Sequence, residues 1–547
     1  MLSPRAPSAA ARALRAASSA RLLSSSSAPA PPAPTKRGWS FCTGHGGAVP
    51  NLIDGEWVQS ASTSHTDCLN PASQELLSRV PDSTGAEFEA AVAAAERALP
   101  AWRATPVQQR ARVMLKLQAL INEHTEDLAA NITLELGKTT VDAKGDVFRG
   151  LEVVEHACGM PTHIMGETVE GVAANMDIHS LRQPLGVCAG ICPFNFPAMI
   201  PLWMFPIAVA AGNTYVMKPS EVDPGAANML AAMAMEAGLP AGVLNVVQGT
   251  AEVVAAACSH PAIKAVSFVG SDRVGRIVHD VSTKHGKRCQ ANLAAKNHGV
   301  ILPDADRRAT VNALVGAAFG AAGQRCMALS AAVFVGDAKE WIPEVVEAAA
   351  QLQVNRGDLP GSDLGPLMSP AALEKAVGIV SRCEEGGATL LLDGRGAVVE
   401  GLPSGNWFGP TIIGDVSNSM ECYTEEIFSP VLSVLTSPTL DAAIELCNAN
   451  PYGNGAALFT RSGAAARKFA HEIDSGQVGI NVPIPVALPM FSFSGSKKSM
   501  VGGPHFYGKQ GVDFCTQTKT ITSLWKEELA ADSEKASGAM FTPGMKT

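Results

Sequence analysis

The sequence predicts an α/β protein of the doubly wound class, divided into more than one domain. Three observations predict it. Helix-period segments alternate with short apolar runs, as βαβ units in a mainly parallel sheet require. At 547 residues the chain exceeds one hydrophobic core. Its composition, 46% hydrophobic and 17% charged with 51 Gly and 36 Pro, buries large cores and supplies many turns.

The first segment stands apart. Residues 1–50 contain no Asp or Glu, while Arg5, Arg12, Arg15 and Arg21 punctuate an Ala/Ser/Leu-rich run. That is the composition of an organelle transit peptide, expected over 1–37, with mitochondrial import favoured and plastid import the competitor. The Ala/Pro run at 28–34 reads as a stiff spacer, and 38–50 as a linker. A first doubly wound unit is expected over 51–169 and 184–293. Its helical patterns run from Glu87 to Leu136 and over 223–238, and its strands are Leu185–Ile191, Thr214–Met217, Leu244–Val247 and Lys264–Val269. The stretch 170–183 interrupts it as an extended or hairpin piece. A second alternating series, expected as 294–498, follows. In 499–547 the alternation of Val512, Phe514, Thr516, Thr518, Thr520 and Thr522 predicts one more strand, over Gly511–Ser523. Two such isolated strands are expected either to pair across a subunit interface or to edge a sheet within one chain.

Charge and composition exclude several function classes. A net charge of −9 lacks the basic field that nucleic acid requires. No charged residue lies between Arg182 and Lys218, yet Pro184, Pro193, Pro197, Pro201 and Pro206 interrupt that stretch, so it predicts a buried core segment and not a membrane span. Twelve scattered cysteines without Cys-x-x-Cys pairs fit free thiols in a reducing compartment, and no metal-ligand motif is present.

Several short motifs carry chemistry. The run Ala265–Val269 enters Gly270 and Ser271 and then a helical pattern, so free backbone N–H groups and a hydroxyl would meet a phosphate at a helix start. Lys218 and Glu221 leave another strand end, where an acid can bind ribose hydroxyls and repel a 2′-phosphate, which favours NAD over NADP. The small-residue stretch 320–326 ends in Cys326 beside the cation Arg325, conditions that favour a thiolate nucleophile. In Pro193-Phe194-Asn195-Phe196-Pro197, flanking prolines would hold the Asn195 amide as a rigid donor for an oxyanion.

Together with Glu425-Glu426-Ile427-Phe428-Ser429-Pro430, these motifs stand in the order and spacing of the aldehyde dehydrogenase superfamily, which the chain resembles from about Asn51 to Trp525. The resemblance implies a doubly wound NAD-binding domain, an α/β catalytic domain and a β oligomerisation arm. It implies Cys326 as nucleophile, Asn195 and the Cys326 N–H as oxyanion hole, and Phe194, Lys218, Glu221, Gly270, Ser271, Glu426 and Phe428 around NAD. Ser429 stands where the family commonly has Gly.

Asn292–His298 and Asn481–Pro485 narrow the resemblance to the coenzyme A-acylating branch that oxidises methylmalonate and malonate semialdehydes. It implies Arg149 and Arg325 as ligands of the substrate carboxylate, coenzyme A as acyl acceptor and loss of carbon dioxide. The product is propionyl- or acetyl-coenzyme A, in valine and pyrimidine catabolism, made by a mitochondrial matrix homo-oligomer, tetramer or dimer. Asn292 replaces the family's glutamate, and an amide cannot serve as general base for water. A hydrolytic aldehyde dehydrogenase and a catalytically silent relative are the competing readings.

Overall fold

The computed structural model describes residues 38–526. The segment expected as a transit peptide, 1–37, and the end of the tail, 527–547, lie outside the described residues.

The first sheet has eight strands, in the order Glu56–Val58, Asn51–Ile53, Leu244–Val246, Thr214–Lys218, Val187–Ile191, Ile263–Val269, Arg288–Asn292 and Met500–Gly502. The five from Leu244–Val246 to Arg288–Asn292 are parallel, and the edges are antiparallel. Val187–Ile191 and Thr214–Lys218 are buried at every position, as strands covered on both faces must be. After Val187–Ile191 the chain adds two strands on one side and then crosses to place Ile263–Val269 on the other. That reversal opens a crevice at the carboxyl ends of the strands.

Helices cover both faces of this sheet. The Gly85–Ala104 helix begins with a capping box: the Glu87 N–H donates to Thr84 Oγ1 at 3.3 Å and the Thr84 N–H donates to Glu87 Oε2 at 2.7 Å. Every residue of the Met199–Ala210 helix is buried, which accounts for the uncharged stretch before Lys218. No helix among the described residues is long and apolar enough to cross a membrane.

The second sheet runs Thr389–Leu392, Thr411–Gly414, Val431–Ser437, Leu329–Val335, Asn297–Ile301, Gly455–Phe459 and Gln477–Ile480. Only the first of these is antiparallel to its neighbour. Residues 293–296 carry the chain from the end of Arg288–Asn292 into Asn297–Ile301. So short a crossing sets the carboxyl ends of the first sheet against the amino ends of the second.

Two expectations are corrected. Residues 38–50 are no linker: Ser40–Thr43 form a helical turn, and Trp39 and Cys42 join the largest core at 5% and 0% exposure. The Trp39 indole donates to Asp127 Oδ2 at 3.1 Å and stands edge-on to the His124 ring, 5.2 Å between centroids. The short, Gly-punctuated sequence hid a segment whose one aromatic anchor has a distant pocket.

The second correction concerns Gly511–Ser523. The final strand is Thr516–Leu524, and Gly508–Cys515 is a helix. Val512 and Phe514 alternate like strand residues, but Gly508, Gly511, Val512 and Cys515 are buried at helical spacing. Arg288 Nη1 then ends the helix by donating to the carbonyls of Asp513, Phe514 and Thr516, at 2.9, 3.1 and 2.6 Å. The strand pairs antiparallel with Met176–Pro184, which pairs in turn with Thr168–Ala173, so the two isolated strands meet within one chain.

Trp39→Ala should lower unfolding stability by about 3–5 kcal/mol, read as a fall in the urea midpoint of the full-length protein. An unchanged midpoint would return residues 38–50 to the status of a linker.

Candidate active site

The loop that presents Cys326 is strained and tied down. After the Arg307–Phe319 helix comes a turn, Gly320–Gly323, in which Ala321, Ala322 and Gly323 take φ values of 50°, 52° and 69°. Each left-handed alanine costs on the order of 1–3 kcal/mol and persists only where its surroundings fix it. Asp142 does so: it accepts the Ala321 N–H at 2.9 Å and pairs with the Arg325 guanidinium. A Cβ on Gly323 would lie 2.2 Å from the Ser429 carbonyl oxygen, so only glycine fits beneath that turn.

Cys326 therefore arrives just before the Leu329–Val335 strand, at the amino end of the second sheet. Its carbonyl accepts the side-chain amides of Asn297 and Asn454, at 2.9 and 3.0 Å. Asn454 Oδ1 in turn accepts from Asn292 Nδ2 at 3.0 Å, and that same Nδ2 reaches the Ser499 carbonyl at 3.3 Å. Asn195 follows the carboxyl end of Val187–Ile191 and donates to the Gln324 carbonyl at 3.2 Å, which brings the expected oxyanion donor against the nucleophile loop. Its second amide N–H has no partner among the described residues.

The electrostatics correct one expectation. Cys326 is 8% exposed, and burial pushes its thiol up to about 12, with the Glu426 carboxylate adding to the rise and backbone N–H groups and Lys138 opposing it. Arg325 does not rescue the thiolate, because its guanidinium is committed to Asp142. Glu426 is itself held up, at about 7, by burial against the pull of the Ala295 N–H and Lys296; that N–H reaches Oε1 at 2.8 Å.

Cys326 opens on a cavity of about 260 Å³. The Thr140–Cys158 helix aims Asp142, Asp146 and Arg149 into it, spaced four and three residues apart and hence on one face. Arg325 enters from the nucleophile loop, so the cavity brings together both arginines expected at a substrate carboxylate. Each carries an acidic partner: Arg149 pairs with Glu152 at 2.8 Å, and Arg325 with Asp142. Phe196, Trp203, Ile484 and Phe493 form apolar walls. Sequence reasoning missed Lys138, Asp142, Asp146, Asn297 and Asn454. The spacing of the acids before Arg149 was a readable signal for the cavity face; Asn454, in an ordinary turn, offered none.

The remaining expected residues line the crevice of the first sheet. Lys218 ends one strand and pairs with Glu221 at 2.7 Å, leaving that carboxylate 40% exposed. Gly270 and Ser271 follow the Ile263–Val269 strand; Ser271 starts the Asp272–Lys284 helix, and its side chain makes no capping bond. That leaves a hydroxyl and the first helical N–H groups for an anion. Val274 and Ile277, on the same helix, expose apolar surface, 41% and 54%. Phe194 from the first sheet meets Phe428 from the second edge-on, 5.9 Å between centroids. Strain in the Ser429 turn falls on Phe428, at φ 59°, and not on the serine. This donor set, with an acid in place of a cation for a 2′-phosphate, fits NAD.

Glu426→Gln removes a negative charge beside the thiol, so the Cys326 pKa falls and the thiolate fraction rises. Alkylation of Cys326 by iodoacetamide at pH 8 without cofactor, followed by peptide mass spectrometry, should quicken roughly three- to tenfold. A slower reaction would mean that Glu426 does not oppose ionisation.

Comparison with known proteins agrees with this geometry. Residues 57–521 match the aldehyde dehydrogenase family. A rat mitochondrial protein named methylmalonate-semialdehyde/malonate-semialdehyde dehydrogenase (acylating) is 55% identical over 506 residues, 92% of this chain and 94% of that one. The mitochondrial methylmalonate-semialdehyde dehydrogenase (acylating) of Arabidopsis thaliana is 58% identical, over 88% of this chain and 79% of its own. A Sinorhizobium meliloti protein assigned to the methylmalonate-semialdehyde dehydrogenases, solved with NAD, superposes with a TM-score of 0.86 at 44% identity, covering 88% of this chain and 98% of that one.

Proposed function

Because the chain belongs to the aldehyde dehydrogenase family, we propose that it oxidises methylmalonate and malonate semialdehydes with NAD and passes the acyl group to coenzyme A. It is an oxidoreductase of the mitochondrion, like the relatives that cover most of its length.

Cys326, as thiolate, adds to the aldehyde carbon. The free Asn195 N–H and the Cys326 backbone N–H would be the donors that stabilise the oxygen as it becomes an alkoxide. Bound NAD would supply the acceptor for the hydride that leaves this carbon. Glu426 and Phe428 would hold its nicotinamide ribose, Lys218 and Glu221 its adenine ribose, and Gly270 and Ser271 its phosphates. Phe194 packs beside Phe428 at the mouth. Arg149 and Arg325 would hold the substrate carboxylate; each shares its charge with an acid, so the site binds a carboxylate without stranding unpaired cations when empty.

The observation that carries the acyl-transfer reading is the state of Asn292. It is buried, its Nδ2 donates to Asn454 Oδ1 and the Ser499 carbonyl, and an amide cannot take a proton from water at neutral pH. The acyl-enzyme then waits for a better nucleophile than water. A thiol is one; the relatives are named as acylating, and coenzyme A is the acyl-accepting thiol that this reading takes. Loss of the β-carboxylate is chemically open at this stage, because the thioester carbonyl accepts the electrons of the breaking bond as an enolate. The edge strand Thr168–Ala173 offers unpaired backbone groups, which favours a homo-oligomer, dimer or tetramer.

Without coenzyme A the enzyme should release about one NADH per active site and then slow; with it, turnover should continue and the product should be propionyl-coenzyme A. Stoichiometric free propanoate under saturating coenzyme A would return the protein to the hydrolytic class. Arg149→Leu or Arg325→Leu should raise KM for methylmalonate semialdehyde about 10- to 100-fold while sparing propanal. Equal effects on both aldehydes would remove the arginines from carboxylate recognition.

A further inference from the structure

Decarboxylation leaves a chemical gap that the residues assigned so far do not fill. When the bond between the α-carbon and the carboxylate breaks, its electron pair enters the thioester as an enolate, and the α-carbon must then gain a proton. Arg149 and Arg325 line the cavity but do not release protons near neutrality. Asp142 is taken up by Arg325 and the Ala321 N–H. Among the described residues of the cavity, that leaves the pair Lys138 and Asp146.

This pair is unusual for its position. Lys138 Nζ lies 2.9 Å from Asp146 Oδ2, with side-chain exposures of 2% and 0%. Burying two charges costs more than their attraction commonly returns, and here they also face a cavity in place of closing a core. Asp146 is fixed from its other side, where Oδ1 accepts the Met199 N–H at 2.7 Å. Lys138 follows Gly137, whose φ of 82° turns the chain out of the Thr125–Leu136 helix and into the site. Its ammonium sits 3.7 Å over the Phe196 ring, one residue from Asn195. Of three N–H bonds, one serves Asp146 and one the ring face, which leaves the third for the cavity. Lys138 is also near enough to Cys326 to draw its thiol downward.

We propose that Lys138 is the proton donor of the decarboxylating step, delivering a proton from Nζ to the α-carbon of the enolate on Cys326. This rests on the acylating reading above. Carbon dioxide leaves, the enolate electron pair returns as a carbon–hydrogen bond, and Lys138 becomes a neutral amine beside Asp146. A proton from water then restores the ammonium. Because the donor stands on one wall, the new hydrogen reaches one face of the enolate.

The test is stereochemical. In deuterium oxide, methylmalonate semialdehyde should give propionyl-coenzyme A carrying one deuterium at the α-carbon, one enantiomer in large excess. Lys138→Arg keeps the cation and its pairing with Asp146 but cannot release a proton near neutrality. The double variant Lys138→Met, Asp146→Asn removes both charges and keeps an acceptor for the Met199 N–H, so a fold that fails for want of pairing is not mistaken for lost chemistry. Lys138→Arg should still give an NADH burst, and the double variant a slower one because it loses the cation that draws the thiol downward; both should lose the enantiomeric excess of the label. A single enantiomer from Lys138→Arg overturns the proposal, and so does loss of the burst in both variants, which would make the pair structural. Wild-type enzyme that releases an undecarboxylated or free acid would instead sink the function proposed above, whatever the variants do.

Discussion

The carbonyl of Cys326 accepts two asparagine amides, and much of the site depends on that clamp. Asn297 begins one strand of the second sheet and Asn454 stands just before another, so both amides are positioned by the sheet itself. Asn454 is oriented in turn by Asn292, the last residue of a first-sheet strand. One hydrogen-bonded chain thus joins the end of one sheet, the start of the other and the nucleophile. In a water-poor interior these bonds strengthen one another, and an unpaired amide there would be costly. The left-handed turn before Cys326 is held from the opposite side, by Asp142. A nucleophile fixed from two sides pays little ordering entropy when substrate arrives.

The burial that accompanies this clamp makes the thiol weakly acidic. A clamp built of neutral amides positions sulfur without offering it charge, and the nearest full charges divide against each other: Glu426 raises the thiol and Lys138 lowers it. Burial decides the balance. Of the charges that oppose ionisation, Glu426 is the largest, so its surroundings bear directly on the thiol.

Most of the parallel core was legible in the sequence, because buried parallel strands are continuous apolar runs and their helices keep a clear period. Val187–Ile191, Thr214–Lys218 and Ile263–Val269 all stand where their residues predicted. The chemistry-bearing residues that sit in short motifs were readable for a similar reason. Asn454 was not, since its role depends on an acceptor 128 residues away. Trp39 escaped notice likewise: nothing in its neighbours announces the pocket beside His124. The Gly508–Cys515 helix was misread because two alternating apolar residues outweighed a helical burial pattern that only Arg288, far upstream, makes decisive. The electrostatic error had the same origin, because Arg325 is next to Cys326 in sequence but spends its charge on Asp142.

The pairing of Thr516–Leu524 with Met176–Pro184 also makes the small sheet depend on two distant parts of the chain. More than three hundred residues of chain separate the two partners, whereas Thr168–Ala173 and Met176–Pro184 are joined by a tight turn. Without Thr516–Leu524 the hairpin would present an open edge on Met176–Pro184, a surface that invites pairing with another chain. His179, Ser180, Arg182 and Gln183 on that strand keep the waiting edge polar. Thr516–Leu524 therefore does not close the sheet but moves its open edge, from Met176–Pro184 to a threonine-rich strand that carries Lys519, while Thr168–Ala173 stays the edge on the other side.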